Sequence, residues 1–330
     1  MKVAVFSTKS YEPAYLDKAN LDQTHQLTYF NVPLNSTTAN LAVGFTAVSV
    51  LLSDAIDKET IEKLASVGVK LIDLRSAGFD NVDVEAAGSH QIKVVRVPAY
   101  SPQAIAEHAV ALILTLDRKT HKAYNRVREN NFSVDNLMGF NLFGKTVGVI
   151  GTGNIGLAFC NIMQGFGCKV IAYDIKEYDE VKKINIPYTT LQNLLGESDI
   201  ISLHCPLNIS TKYLFNESTF AKIKRGAMLI NTSRGAIINT VDAIQALKSG
   251  QLGFLGIDVY EGEQNLFFKD LSQSIIQDDL IERLMSFNNV LITPHQAFFT
   301  KEAVEQIANI TIKNFTDFEM GRPLENEVKK

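Results

Sequence analysis

Short β-branched and apolar runs alternate along this chain with stretches of helical period, the pattern of a parallel sheet covered by helices on both faces. The alternation comes in two series. The first opens at "KVAVFS" and continues through "TAVSVLLS", "VKLIDLRS" and "IKVVRVP", with helical stretches such as "DKETIEKLASVG" between them. The second opens at "GKTVGVIG" and predicts strands at residues 145–150, 169–174, 199–205, 227–233, 255–260 and 289–293. Between the series, "SPQAIAEHAVALILTLDRKTHKAYNRV" predicts a linking helix. Ser101 is its expected N-cap and Pro102 its first residue, where a missing N–H is harmless. The apolar run from Ala109 to Leu116 predicts burial on most sides. It is far shorter than the ~18–20 residues of a membrane span. After residue 300, "KEAVEQIANITIKNFTDFEMG" reads as one amphipathic helix whose place the pattern leaves open.

At 330 residues, 46% of them apolar, the chain is longer than one compact domain usually is, so two are expected. A formal net charge of −4 with scattered Lys and Arg argues against a nucleic-acid surface. Cys160, Cys168 and Cys205 form no CxxC spacing and are an odd number. That is thiol usage of a reducing compartment. The start "MKVAVFSTKS" reads as a strand and not as a leader, so a cytoplasmic protein without a membrane role is expected. His108, His204 and Cys205 invite a metal reading, but no spacing such as HExxH supports it. No metal is expected, and His108 reads as structural.

The strongest local signal is "GKTVGVIGTGNIGLAFCNIMQGFGCKVIAYD". Gly151, Gly153 and Gly156 form GxGxxG directly after a strand and at the start of a helix. There the first glycine permits the tight turn, the second lets the backbone approach a pyrophosphate, and the third allows close helix–strand packing. The helix N-terminus adds free N–H groups and positive dipole character. Asp174 follows Gly156 at the end of the next strand, placed to accept hydrogen bonds from a ribose diol. Its charge opposes a 2′-phosphate and no arginine follows, so NAD is favoured over NADP. Without ligand, the same stretch would be only a glycine-rich turn.

Ligands of open α/β sheets bind beyond the carboxyl ends of the strands. The last three strands of the second series run into Arg234, into the acids Glu261 and Glu263, and into His295. Alone, each has a bland reading as a loop cation, turn acids or a turn residue after Pro294. Together, on the edge that carries the glycine loop, they suggest chemistry. A histidine exchanges a proton with a carbonyl near neutral pH. A carboxylate orients the ring, and an arginine grips a substrate carboxylate in a two-pronged manner. These parts fit reduction of a 2-oxo acid beside a nicotinamide cofactor. Spacing leaves Glu261 and Glu263 equally eligible as the partner.

The motifs "SAGFDNVD", "VPAYSPQAIAEHAVALIL", "GVIGTGNIG", "LHCPL", "INTSRGAIINT", "GIDVYEGE", "LFF", "IQDD" and "NVLITPHQAF" occur in order along nearly the whole chain. In them the chain resembles the D-2-hydroxyacid dehydrogenase family, and within it the fermentative D-lactate dehydrogenases. The resemblance implies an α/β fold of two doubly wound domains. These are a Rossmann NAD-binding domain at residues 101–298 and a flavodoxin-like, discontinuous substrate domain of residues 1–100 and 299–330. It implies catalysis by Arg234, Glu263 and His295, with Glu263 as the histidine's partner. Substrate contacts are implied from Ser76, Ala77, Gly78 and Tyr100. Phe298 and Phe299 are expected to wall a small pocket. Further cofactor contacts are implied from Thr152, Asn154, Ile155, Cys205, Pro206, Thr232 and Asp258. Pyruvate and D-lactate are the expected substrate pair and a homodimer or homotetramer the expected assembly. Segments near residues 100 and 298 are expected hinges. A larger 2-oxo acid as substrate is the alternative, and a non-enzymatic NAD(H)-sensing protein is the other class.

Overall fold

The computed structural model describes residues 1–22 and 24–329. The chain forms two compact units, Met1–Ser101 with Phe298–Lys330, and Pro102–Ala297.

The first unit is built on β1 (Lys2–Val5), β2 (Gln26–Tyr29), β3 (Ala47–Val50), β4 (Leu71–Leu74) and β5 (Lys93–Arg96). All pair in parallel, in the order β2-β1-β3-β4-β5. This is the flavodoxin-like doubly wound order. β3 and β4 are buried along their whole length, as strands covered on both faces must be. Edge strand β2, "QLTY", is only partly buried and lacks an apolar run, so hydrophobic pattern alone overlooks it. Helix Lys58–Ser66 is capped by Asp57, whose side chain accepts from Thr60 N. Helix Lys301–Glu319 is amphipathic as expected and belongs to this unit. From it Asn314 donates to Asp73 of β4 at 2.9 Å.

Just past β4, Arg75 is buried and its guanidinium is fully engaged. Nε donates to Glu12 Oε1 at 2.8 Å, Nη1 to Ser49 Oγ at 3.1 Å and Nη2 to the Phe6 carbonyl at 2.8 Å. One cation here faces three acids. Burial pushes Asp73 up to about 6 and also raises Asp54. The cluster fixes the strand end from which Ser76–Gly78 emerges.

The second unit carries β6 (Thr146–Ile150), β7 (Lys169–Tyr173), β8 (Ile200–Leu203), β9 (Ala227–Asn231), β10 (Leu252–Ile257) and β11 (Val290–Ile292). The parallel sheet has the order β11-β10-β9-β8-β6-β7, a Rossmann topology whose winding reverses at β6. Alternation along β9 shows why both faces need cover. Ala227 and Leu229 enter one apolar core, and Met228 and Ile230 enter the other. Helix Pro102–Arg118 packs into the second core through Ala109, Leu112, Ile113 and Leu116. Its preceding residue, Ser101, has φ 22°, and Lys119 in the left-handed region (φ 51°) separates it from helix Thr120–Arg128. The pattern had placed the fifth strand at 255–260. β10 instead lies three residues earlier, because Leu252, Leu255 and Ile257 supply the core contacts while Asp258 turns its carboxylate into a neighbouring loop.

Candidate active site

β6 runs into Gly151, whose φ of 91° requires glycine. A Cβ there would also lie 2.5 Å from Cys205 N, and one at Gly156 would lie 2.1 Å from the Gly151 carbonyl. These two glycines are therefore demanded by the fold itself. Gly153 is not: a Cβ there meets nothing within 4 Å. It is the N-cap of helix Asn154–Gly165, which has no side-chain cap, so the first turn presents its N–H groups to open space. Asp174, following β7, accepts from Thr152 N at 2.6 Å, Thr152 Oγ1 at 3.0 Å and Lys176 N at 3.2 Å. Tyr188 OH completes the group, 2.8 Å from Thr152 Oγ1.

The donor set fits a dinucleotide. The glycine loop offers backbone N–H groups, Asp174 a carboxylate, and Thr232 a buried hydroxyl with no hydrogen-bond partner among the described residues. Burial pushes the Cys205 thiol up to about 11, so beside the glycine loop it is a neutral packing group.

His204, next to Cys205, underlies the same loop. Its Nε2 is 2.9 Å from Ser202 Oγ, its ring is 4.9 Å from that of Phe159, and Nδ1 is buried without a hydrogen-bond partner among the described residues. Burial lowers its pKa to about 3. In the unfolded chain the ring returns to an ordinary value near 6.5, so below that pH the unfolded state binds the extra proton. The neutral ring's contribution is complete above pH ~6.5 and is lost as pH falls toward 3. Urea midpoints measured from pH 7.5 to 5 are expected to fall. A His204→Gln variant should show a shallower fall, not a flat one, because burial lowers His25 as well.

β11 leads into the loop that carries His295. This residue is itself left-handed, with φ 57°, a conformation uncommon outside glycine that histidine adopts more readily than most side chains. The loop is held from below by Asp258, which is fully buried. Its carboxylate accepts from Thr293 Oγ1, from Gln296 N at 2.9 Å and from Ala297 N at 2.8 Å. His108 Nε2 lies 3.0 Å from Thr293 Oγ1 and 3.4 Å from Asp258 Oδ1. In this conformation Asp258 is thus a brace of the His295 loop, with no surface open to a cofactor. His108 is part of the same brace.

His295 Nδ1 is 3.0 Å from Glu263 Oε1, and the Phe268 ring lies 5.8 Å from the imidazole centroid. Glu261 is engaged elsewhere. It accepts from Tyr213 OH at 2.8 Å and from Thr240 N at 3.1 Å. Geometry therefore separates two acids that spacing could not. Arg234 follows β9 in extended conformation. Its carbonyl accepts from Asn231 Nδ2 at 2.9 Å, and its Nη1 donates to the Ser233 carbonyl at 2.8 Å. Gly235, the next residue, abuts the Tyr260 backbone so closely that a Cβ would lie 2.0 Å from its carbonyl carbon. The loops after β9 and β10 are thereby locked together. A positioned imidazole–carboxylate pair with a guanidinium on the adjoining loop can deliver a proton to an oxyanion and neutralise a carboxylate.

The other expected substrate residues lie in the first unit. Ser76 Oγ donates to the Gly78 carbonyl at 2.9 Å, and Arg96 Nη1 to the Ala77 carbonyl at 2.6 Å. Tyr100 meets Phe298 edge-on at 6.3 Å, and Phe298 meets Phe299 at 6.0 Å. Tyr11, which the sequence reading passed over, packs on Phe299 at 4.6 Å. Also overlooked were Tyr188, Tyr260, Phe268 and Thr293. They act through other side chains; Tyr260, Phe268 and Thr293 lie within "GIDVYEGE", "LFF" and "NVLITPHQAF", but nothing in those motifs singles them out.

Residues 110–297 match the family described as D-isomer specific 2-hydroxyacid dehydrogenase, NAD binding domain. The chain belongs to this family, and it is an NAD-dependent D-2-hydroxyacid dehydrogenase. It is 46% identical to a D-lactate dehydrogenase of Escherichia coli, over 99% of this chain and 100% of that protein. The apo-structure of D-lactate dehydrogenase from Escherichia coli superposes with a TM-score of 0.91, at 44% identity and 100% coverage of both chains. D-lactate dehydrogenase kk1H of Curvularia clavata is 48% identical, over 99% of this chain and 94% of that one. A D-2-hydroxyisocaproate dehydrogenase structure is also similar, with a TM-score of 0.85, 32% identity and 100% coverage of both.

Proposed function

We propose that this enzyme reduces pyruvate to D-lactate, with His295 as proton donor, Glu263 as its orienting partner and Arg234 as the substrate anchor. The observation that carries the reading is the 3.0 Å contact between His295 Nδ1 and Glu263 Oε1. It leaves Nε2 free of that contact, and the protonated ring delivers a proton from this nitrogen to the carbonyl oxygen. Arg234 binds the substrate carboxylate and polarises the neighbouring carbonyl. Bound NAD(H) supplies or accepts the hydride. The backbone of Gly151, Thr152, Gly153, Asn154, Ile155 and Gly156 would hold it, with Asp174 accepting from its ribose and Cys205, Pro206 and Thr232 lining the site. In the first unit, Ser76, Ala77 and Gly78 contribute backbone groups toward the substrate carboxylate, while Tyr100, Phe298 and Phe299 favour a small side chain. We assign the first unit as the substrate domain and the second as the cofactor domain.

The enzyme is proposed to work in the cytoplasm as a homodimer or homotetramer. Its three cysteines are free and buried, which suits a reducing compartment. Among the described residues no helix is long and apolar enough to cross a membrane. Self-association is supported by the exposed apolar side chains Tyr124, Val127, Phe132, Val134, Met138 and Phe143 in the second unit.

The test is NADH oxidation with pyruvate, 2-oxoisocaproate and phenylpyruvate, with chiral analysis of the product. The expected result is the highest kcat/KM for pyruvate and a D product. One methylene in an apolar pocket is worth only about 1–3 kcal/mol, so neighbouring acids turn over more slowly and are not rejected. A higher kcat/KM for the larger acids assigns the enzyme to them instead. No oxidation with any of the three overturns the catalytic reading in favour of an NAD(H)-sensing protein.

A further inference from the structure

Glu263 owes its position to Tyr260. Its backbone N–H donates to the Tyr260 carbonyl at 3.2 Å, and its Oε2 accepts from Tyr260 N at 3.1 Å. The acid is thus clasped at both ends by the backbone N–H and carbonyl of one residue, leaving Oε1 for His295. The same residue's carbonyl carbon is the surface against which Gly235, beside Arg234, is packed. All three proposed catalytic groups therefore refer their positions to the backbone of Tyr260.

What fixes that backbone is the far end of the side chain. Tyr260 is 4% exposed, and its hydroxyl donates to both oxygens of Asp278, each at 2.9 Å. Asp278 is not a mobile acceptor. Its Oδ1 also accepts from Leu280 N at 3.0 Å and Ile281 N at 3.1 Å, capping helix Asp279–Met285. That helix is rooted in the core by Ile281 and Leu284. Gly262 leaves the room this arrangement needs, since a Cβ there would lie 2.7 Å from Tyr260 Cε1 and 2.9 Å from Asp278 Oδ2. Between Glu263 and Asp278 the chain carries buried Phe267 and left-handed Phe268, whose ring faces His295.

We infer that Tyr260 and Asp278 form a strut that sets the position of the Glu263–His295 pair, making both of them positioning residues for proton transfer. The inference rests on the proposed role of His295 and deepens it. A buried phenol that loses its acceptor must shift or remain unsatisfied. A shift of its backbone passes directly to both hydrogen bonds of Glu263. Misplacement by ~1 Å can reduce turnover by about 10²-fold.

The test compares Tyr260→Phe, Asp278→Asn and Asp278→Ala with the wild type and His295→Ala, using NADH and pyruvate. Tyr260→Phe keeps the ring and removes only the hydroxyl. It is expected to lower kcat roughly 10-fold or more. NADH Kd should stay within about twofold, since the substitution leaves the glycine loop untouched. The solvent deuterium isotope effect on kcat should rise as proton delivery becomes slower. Asp278→Asn retains an oxygen for the phenol and should recover most of the activity. Asp278→Ala should lose at least as much kcat as Tyr260→Phe, since it also removes the cap of helix Asp279–Met285, and adding Tyr260→Phe to it should lower kcat no further, because the phenol contact is already broken. Wild-type kcat and isotope effect in Tyr260→Phe, with only a lower melting temperature, would overturn the inference. Tyr260→Phe decides even where Asp278→Ala does not fold. Failure of the underlying reading is separate, appearing as an inactive wild type or an active His295→Ala.

Discussion

Alanine at position 295 is expected to lower kcat for pyruvate reduction by roughly 10²–10⁴-fold, the usual share of a positioned acid–base group. NADH affinity should remain within about twofold, because the substitution removes nothing from the glycine loop or Asp174. The size of the loss follows from geometry. Glu263 Oε1 sits 3.0 Å from His295 Nδ1, and the loop is pinned to Asp258 by two backbone N–H groups and the Thr293 hydroxyl. The imidazole is thus held before substrate arrives and little reorganisation accompanies the reaction. Steady-state rates with a fluorescence titration of NADH make the measurement. Near-normal turnover in His295→Ala would remove this residue from the mechanism. Glutamine at 263 should have a smaller effect than alanine at 295, because the acid and base group itself remains.

Arginine 234 is expected to show the second largest loss, divided differently between the kinetic constants. Its guanidinium presents two parallel N–H groups to a carboxylate, each charge-assisted bond being worth about 1.5–3 kcal/mol. Arg234→Gln should therefore lower kcat/KM by roughly 10²–10⁴-fold, with KM raised and kcat reduced. Arg234→Lys keeps the charge and loses the fork, so it should fall between glutamine and wild type. An unchanged KM for pyruvate in Arg234→Gln would show that the carboxylate is held by other groups. Gly235 should not be substituted as a control for this position, since any Cβ collides with the Tyr260 backbone.

Much of the architecture was legible because it depends on local pattern. Whole-length burial of β3, β4 and β9 follows from strands covered on both faces, and it shows in the sequence as mostly apolar runs, each with one buried polar residue: Ser49, Asp73 and Asn231. β2 escaped because an edge strand buries little and "QLTY" has no such run. The fifth strand of the second unit was placed three residues late for a related reason. "LGIDVY" is as apolar as "LGFLGI", and only packing decides which part lies in the sheet.

The glycine loop was readable to the residue, because strand, turn, helix and following acid lie close together in the chain. The acid–base pair was legible only through the family resemblance, which implied Glu263 and His295, and not through spacing. Glu261 and Glu263 are two residues apart, and only the fold directs one to Tyr213 and the other to His295. For Asp258 the family resemblance implied a cofactor contact, and no local pattern pointed to a structural task. In this fold its carboxylate is consumed by the loop from Thr293 to Ala297.

By itself the sequence determined the two α/β series, the dinucleotide loop and the set of residue types able to move a proton and bind a carboxylate. Each of these is encoded in hydrophobic period or in side-chain chemistry over short stretches. Residue spacing left two acids eligible for His295, and the tertiary structure shows the contact with Glu263, the brace of Asp258 beneath the loop, and Tyr260 and Asp278 behind Glu263. Such pairings join residues 32, 38 and 18 positions apart. They depend on which loops the sheet brings to one edge, and no local pattern contains that information.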